Sequence, residues 1–186
     1  LIAAKYVVAD HGSAAHGLIS GEYVNDRHYY KHHRIWSSGP FSVGGDFQAM
    51  RFTIFRATTD ATPTVLTADG AAPYFVGGGP STNTIMVFNH PTSYTAYGFD
   101  GMVVATRENT VSSSMWKISG LVRGGSSGMV GSPVITKISD NTNGAWSINT
   151  IVTSSGTNYY LTIAATGSSS TNIRWGANIE LVKVSY

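Results

Sequence analysis

The chain has 186 residues, a formal net charge of +2 and no cysteine; it is therefore about one domain long, cannot form disulfides or thiolate metal sites, and lacks the electrostatic signature of a nucleic-acid binder. Hydrophobic residues make up 42%, enough for a buried core, whereas charged residues make up only 12%, about half the usual share for a soluble domain. Gly, Ser, Thr and Asn fill the difference, and the resulting surface is polar but poorly protected by charge, which suits a large assembly or an oligomer.

No run of about 18 apolar residues exists, so membrane insertion is not expected. Residues 1–9 lack the basic start and long apolar stretch of a signal peptide. The first residue is Leu1, not Met, and the chain reads as a fragment or processed product of something longer. Residues 10–21 hold three glycines and two histidines, His11 and His16, and are predicted to be loop. Residues 23–36 have no clear period and fit either a short helix or an extended arm. At Gly44 and Gly45 the character changes, and strand follows strand from there on.

Met50, Phe52 and Ile54 alternate with Arg51, Thr53 and Phe55, a period of two with one apolar face. Asp60-Ala-Thr-Pro63 breaks the run, because Pro63 fixes its own φ and biases its neighbour towards extended backbone. Residues 64–67 predict a short strand ended by the turn pair Asp69-Gly70. Gly77-Gly-Gly-Pro80 is a loop, and residues 84–88 are a compact apolar run that predicts a buried strand. Residues 94–107 form a long β-rich stretch in which Gly98 and Gly101 predict a bulge or bend. In 115–123, Trp116, Ile118 and Val122 face one way and Lys117 and Arg123 the other. Pro133 opens a strand through Ile138, and residues 140–144 form a turn rich in residues that tolerate left-handed backbone. Trp146, Ile148 and Ile151 follow, then a hairpin turn at 154–156, a return strand over 158–164 and a loop at 167–170. The end of the chain alternates Ile173, Trp175, Ala177, Ile179 and Leu181 with polar or small residues.

Eight or nine short strands separated by turn signals, with no helical period beyond two turns, predict an all-β fold: a β-sandwich, jelly-roll-like, over residues 45–186, with an N-terminal connecting arm over 1–44. Trp116, Trp146 and Trp175 fall on the apolar side of alternating strands and are assigned to the core.

Several constellations invite a chemical reading. His28 and His32 would share a face if their segment were helical and, with His33 beside them, could hold a metal. No carboxylate sits at ligand spacing, so an exposed basic-aromatic arm is the preferred reading. Gly125-Ser-Ser-Gly128 and 167–170 are not Gly-x-Ser-x-Gly elbows, and neither these loops nor 77–80 precede a helix that could cradle a phosphate. Of the ten acidic residues, Asp60, Asp69 and Asp140 are accounted for by turn chemistry and Glu180 faces out of the last strand, which leaves no evident pair for glycoside cleavage. No enzyme activity and no cofactor is expected. Aromatic residues are the stronger lead. Tyr29, Tyr30 and Trp36 cluster in the arm, Tyr74, Phe75, Tyr94 and Tyr97 lie in or near predicted loops, and exposed rings of this kind stack on sugar faces. Tyr29, Tyr30, Trp36, Tyr94 and Tyr97 are the candidate glycan-binding residues, contact with a neighbouring chain being the alternative use of the same rings. Tyr159 and Tyr160 are adjacent and would point to opposite faces of a strand.

Ser37-Ser-Gly-Pro-Phe41, Gly45-Asp-Phe-Gln48 and Arg56-Ala-Thr-Thr-Asp-Ala-Thr-Pro63-Thr-Val-Leu66, followed by Phe99-Asp-Gly-Met-Val-Val-Ala-Thr-Arg107 and Trp116-Lys-Ile-Ser-Gly-Leu-Val-Arg123, form an ordered series. It closes on Trp146-Ser-Ile148, Tyr160-Leu-Thr-Ile163, Asn172-Ile-Arg-Trp175 and Ile179-Glu-Leu-Val-Lys-Val184. Over residues 37–186 this series resembles a C-terminal β-sandwich module of bacteriophage tail fibres, tailspikes and virion appendages. The resemblance implies a virion structural role, usually as a homotrimer near the end of a fibre. The chain is then expected to act in trimerisation and host-surface attachment, with itself, other virion proteins and, through the aromatic residues, a host cell-surface glycan as partners. The resemblance implies no catalytic residue. A carbohydrate-binding module without catalysis and a capsid (head) decoration protein are the alternatives.

Overall fold

A computed structural model describes residues 7–9, 18–22, 24–26, 33–38, 47–73, 83–88, 95–108, 110–123, 128–141, 145–155 and 158–185. Among them are fourteen strands and no helix. The first four are β1 (Val7–Ala9), β2 (Leu18–Glu22), β3 (Val24–Asp26) and β4 (His33–Ser38). Next come β5 (Phe47–Thr58), β6 (Thr64–Val65), β7 (Ile85–Phe88), β8 (Thr95–Arg107) and β9 (Ser113–Arg123). The last five are β10 (Gly128–Met129), β11 (Val134–Asp140), β12 (Ser147–Ser155), β13 (Asn158–Thr166) and β14 (Ile173–Ser185).

Two sheets carry the fold. The larger runs β10-β9-β8-β14-β5-β4-β2, with β11 also paired to β9; the smaller runs β12-β13-β6, with β7 paired to the other end of β13. The final strand is the centre of the larger sheet: β14 is antiparallel to β5 on one side, Ile173 opposite Thr58 through Val184 opposite Phe47, and to β8 on the other. A strand that begins and ends the ladder with both neighbours is an element of the core, as its strict alternation predicts. β12 and β13 form a hairpin in unbroken register from Ser147 opposite Thr166 to Ser155 opposite Asn158. Residues 64–68 join the two sheets. Thr64 and Val65 pair with β13, and two residues later Thr67 exchanges both backbone hydrogen bonds with Phe55 of β5.

The arm differs from a featureless connector. Its described segments are extended, not helical: β4 is antiparallel to β5, Arg34 opposite Arg51 and Trp36 opposite Ala49, β2 continues the sheet parallel to β4, and β1 and β3 form a separate two-stranded parallel pair.

One apolar cluster lies between the sheets. Met50, Phe52 and Ile54 of β5, Tyr97, Phe99 and Val103 of β8, and Ile173, Trp175, Ile179 and Leu181 of β14 meet Ile148, Leu161 and Ile163 of the smaller sheet. The three tryptophans cross it in series, Trp116 5.5 Å from Trp175 and Trp175 5.9 Å from Trp146, ring centre to ring centre in tilted contact. Their polar edges are satisfied: the Trp175 indole N–H donates to the Thr58 hydroxyl at 2.9 Å and that of Trp146 to the Ser168 hydroxyl at 3.1 Å. The assignment of all three to the core is therefore correct.

The bulge predicted at Gly98 and Gly101 is not there. Both ladders of β8 pass through these residues without a register shift. Gly101 is explained by packing instead: a Cβ there would lie 2.5 Å from Ile179 Cδ1 and 2.8 Å from the Asn178 carbonyl oxygen. The register shift in this sheet falls on β11, between Lys137 and Ser139.

Candidate functional site

Strand alternation sends one set of side chains into the core and the other onto the outward face of the larger sheet. Register then aligns the outward residues of β5, β14, β8 and β9 into rows across the strands. One row is Phe55, Gly176, Val104 and Met115; the next is Thr53, Asn178, Met102 and Lys117; then follow Arg51, Glu180, Asp100 and Ser119; and then Ala49, Val182, Gly98 and Leu121.

The middle two rows hold most of the charge of this face. Glu180 and Asp100 stand directly opposite each other, an arrangement of like charges that is destabilising on its own. Each is neutralised from the far side. Arg51 reaches Glu180 at 3.0 Å and donates through Nε to Asn178 Oδ1 at 3.0 Å, and Lys117 reaches Asp100 at 3.4 Å. All four side chains are about half-exposed, so each pair contributes on the order of 0–1 kcal/mol. Their effect is on the character of the surface: a belt of donors and acceptors with no net charge.

The belt floors an open trough of about 510 Å³ that spans the sheet from Arg51 on β5 to Ile138 on β11, with Met102 and Met115 as its apolar wall. Its far end is fixed by the β9–β11 pairing. Ser114 and Asp140 share a hydrogen bond, Lys137 pairs with Asp140 at 2.9 Å, and the Lys137 ammonium lies 5.4 Å from the centre of the Trp116 ring. Asp140 is thus more than a turn former. Such a trough can take up a ligand that both offers and accepts hydrogen bonds and has an apolar side.

Among the residues singled out from sequence, Tyr97 is a correction. It lies inside β8, not in a loop, and is only 2% exposed. Alternation puts it on the same side as Phe99, and burial pushes its hydroxyl pKa well above the ordinary tyrosine value. A ring so enclosed offers no face to a sugar. Trp36 sits in β4 opposite Ala49, at the end of the row that holds Val182, Gly98 and Leu121. Tyr29, Tyr30, Tyr94, His28 and His32 lie outside the described residues, as do Tyr74 and Phe75. Tyr160 is fully buried and Tyr159 packs against the same core, with a register shift of β13 against β7 falling between them. Among the described residues no group of three or more His, Asp or Glu converges as a metal site.

Arg51, Asp100, Lys117, Asn178 and Glu180 were not singled out from sequence as a group. Each reads there as the polar half of an alternating strand. Only the register, set by contacts distant in sequence, brings them together.

No known family profile matches this chain, and no curated protein matches it either. A search of solved structures finds the tailspike protein of the Acinetobacter phage vB_ApiP_P1, at 18% sequence identity over 81% of this chain, with a TM-score of 0.34. The chain spans 24% of the length of that tailspike. At that TM-score the superposition is too loose to define a shared fold.

Proposed function

We propose that this chain is a non-catalytic structural module of a bacteriophage tail fibre, tailspike or other virion appendage, working as a homotrimer and in contact with the host surface. The observation that carries this reading is the outward face of the larger sheet, where exposed apolar side chains surround charges that are already paired. A surface of that composition is suited to being covered. The ordered motif series over residues 37–186 supports a virion appendage as the place where it is covered, and the low charge of the whole chain supports an assembly over a freely diffusing protein.

Immunogold labelling of virions with antibody to this chain tests it. Label on the tail is the expected result. Label on the head would replace the appendage by a capsid decoration role, and label absent from the particle would overturn both. Host polysaccharide incubated with the chain is expected to keep its length.

A second reading, a carbohydrate-binding module, is favoured by the trough itself, whose alternating donors and acceptors beside Met102 and Met115 suit a polyhydroxylated ligand with an apolar side. A glycan array distinguishes it: retention of any surface glycan, lost on Asn178→Ala, supports that reading, and a blank array removes it.

A further inference from the structure

We propose that the outward face of β5, β14, β8 and β9 is the surface on which this chain packs against a second copy of itself. The inference rests on the reading of the chain as a self-associating module and assigns that association to one face.

Glycines make the first argument. Gly101 and Gly120 point inward, and a Cβ on either would collide with the core, 2.5 Å from Ile179 Cδ1 in one case and 2.6 Å from the Phe99 ring in the other. Gly98 and Gly176 point outward from the interior of the two central strands. A Cβ on either would meet nothing within 4 Å, and neither has a positive φ. Glycine inside a strand weakens it, and it is found where another backbone or a ligand approaches closely. Among the described residues nothing makes that approach at Gly98 or Gly176, and a surface of another molecule is the one that would use the missing side chains.

The second argument is what surrounds them. Phe55, Met102, Val104, Leu121, Val182 and Val184 stand on the same face, each between 40% and 52% exposed, and they make up six of the eleven exposed large apolar residues among those described. They border both outward glycines: Gly176 lies between Phe55 and Val104, and Gly98 between Val182 and Leu121.

Size and charge decide the occupant. Strands about 4.8 Å apart that rise about 3.4 Å per residue give the four-strand face roughly 700 Å², close to the ~800 Å² per partner of a standard protein interface. A short glycan in the trough would cover a fraction of it. Arg51 with Glu180 and Lys117 with Asp100 leave the belt without net charge, so an identical face approaches it without net repulsion. A charged partner protein would find no complementary field here.

Light scattering after gel filtration, on the full chain at several concentrations, tests the proposal with three variants. The wild type is expected at a multiple of 19.8 kDa. Gly176→Val is expected to raise the dissociation constant at least tenfold while its melting temperature, measured where the chain is monomeric, is unchanged or higher. A glycine with only an internal role would show the opposite pair of results. Val104→Glu is expected to give monomers, and Ile151→Glu, on the exposed face of the smaller sheet, to associate as the wild type does. If the wild type associates and both face variants do so equally well, the face is wrong and self-association by another surface stands. If the wild type has the mass of one chain at every concentration, the proposal fails, and virion labelling still decides where the module works. If that monomer binds host polysaccharide and Val104→Glu does not, the occupant is a glycan and the proposal is overturned.

Discussion

Thr58 is the kind of residue whose role only its neighbour reveals. Its hydroxyl sits at the end of β5, buried, and accepts the indole N–H of Trp175, while Gly167 approaches the same oxygen so closely that a Cβ would lie 2.6 Å away. Thr58→Val keeps the shape and strands the N–H in the tryptophan series. A buried donor left without a partner costs about 1–3 kcal/mol, a loss to be read in urea unfolding, and Thr58→Ser should recover most of it. Equal stability of the valine variant would mean that the indole finds another acceptor. Asp69 makes a different case. Burial raises its carboxyl pKa, but hydrogen bonds from the Ala71 N–H, Asn83 and Thr67 outweigh this and hold it below the usual value of 3.8. A depressed carboxylate contributes stability that is fully present above its unfolded pKa and is lost as pH falls through the folded one. Asp69→Asn is therefore expected to lower the melting temperature at neutral pH, with the gap to the wild type closing below about pH 4. A gap that stays constant into acid would remove the charge from the explanation.

Gly101 and Gly176 separate two meanings of a strand glycine at the scale of the element. On β8, Gly101→Ala forces the new methyl against the Ile179 side chain and the Asn178 carbonyl of β14; overpacking of this kind costs about 1–3 kcal/mol and should appear in thermal unfolding of the monomer. On β14, Gly176→Ala has open space and removes the entropic penalty of glycine, so the same measurement should show no loss. Equal losses at both positions would undo the distinction between inward and outward glycines. The sequence pattern carries the strands themselves well. Period-two alternation identifies β5, β9 and β14, and turn chemistry at Asp60 places the end of β5; the hairpin turn expected at 154–156 starts too early, because β12 stays paired through Ser155. It reads Gly98 and Gly101 as a bulge because a glycine signals departure from regular backbone, whereas the reason here is a neighbour close in space and distant in sequence. Tyr97 fails for a related cause. The β-rich stretch 94–107 already contains it, but only the pairing of β8 with both β14 and β9 shows that its ring is buried.

Across the whole molecule, what alternation cannot supply is winding order. The two-sheet, all-β architecture follows from the count and spacing of strands, but that β14 enters between β5 and β8, and so aligns Arg51, Glu180, Asp100 and Lys117 into one belt, depends on pairings that span most of the chain. The division near Gly44 raises the same question at the other end. Every described member of the apolar cluster lies between Met50 and Leu181, and residues 45–186 are expected to fold alone, with a single cooperative transition. Yet β4 is hydrogen-bonded to β5 along residues 49–52. Removing residues 1–44 bares that edge, and an exposed strand edge is a template for pairing with another chain. The truncated protein should therefore keep its near-ultraviolet dichroism and most of its melting temperature while aggregating more readily on concentration. Adding Lys at Thr53 would not relieve this, because that side chain lies on the outward face; blocking the edge itself, with Ala49→Pro, should restore solubility if the backbone of β5 is the sticky element. If residues 45–186 fail to fold at all, the arm is part of the sandwich and the boundary near Gly44 marks a change of composition within one domain.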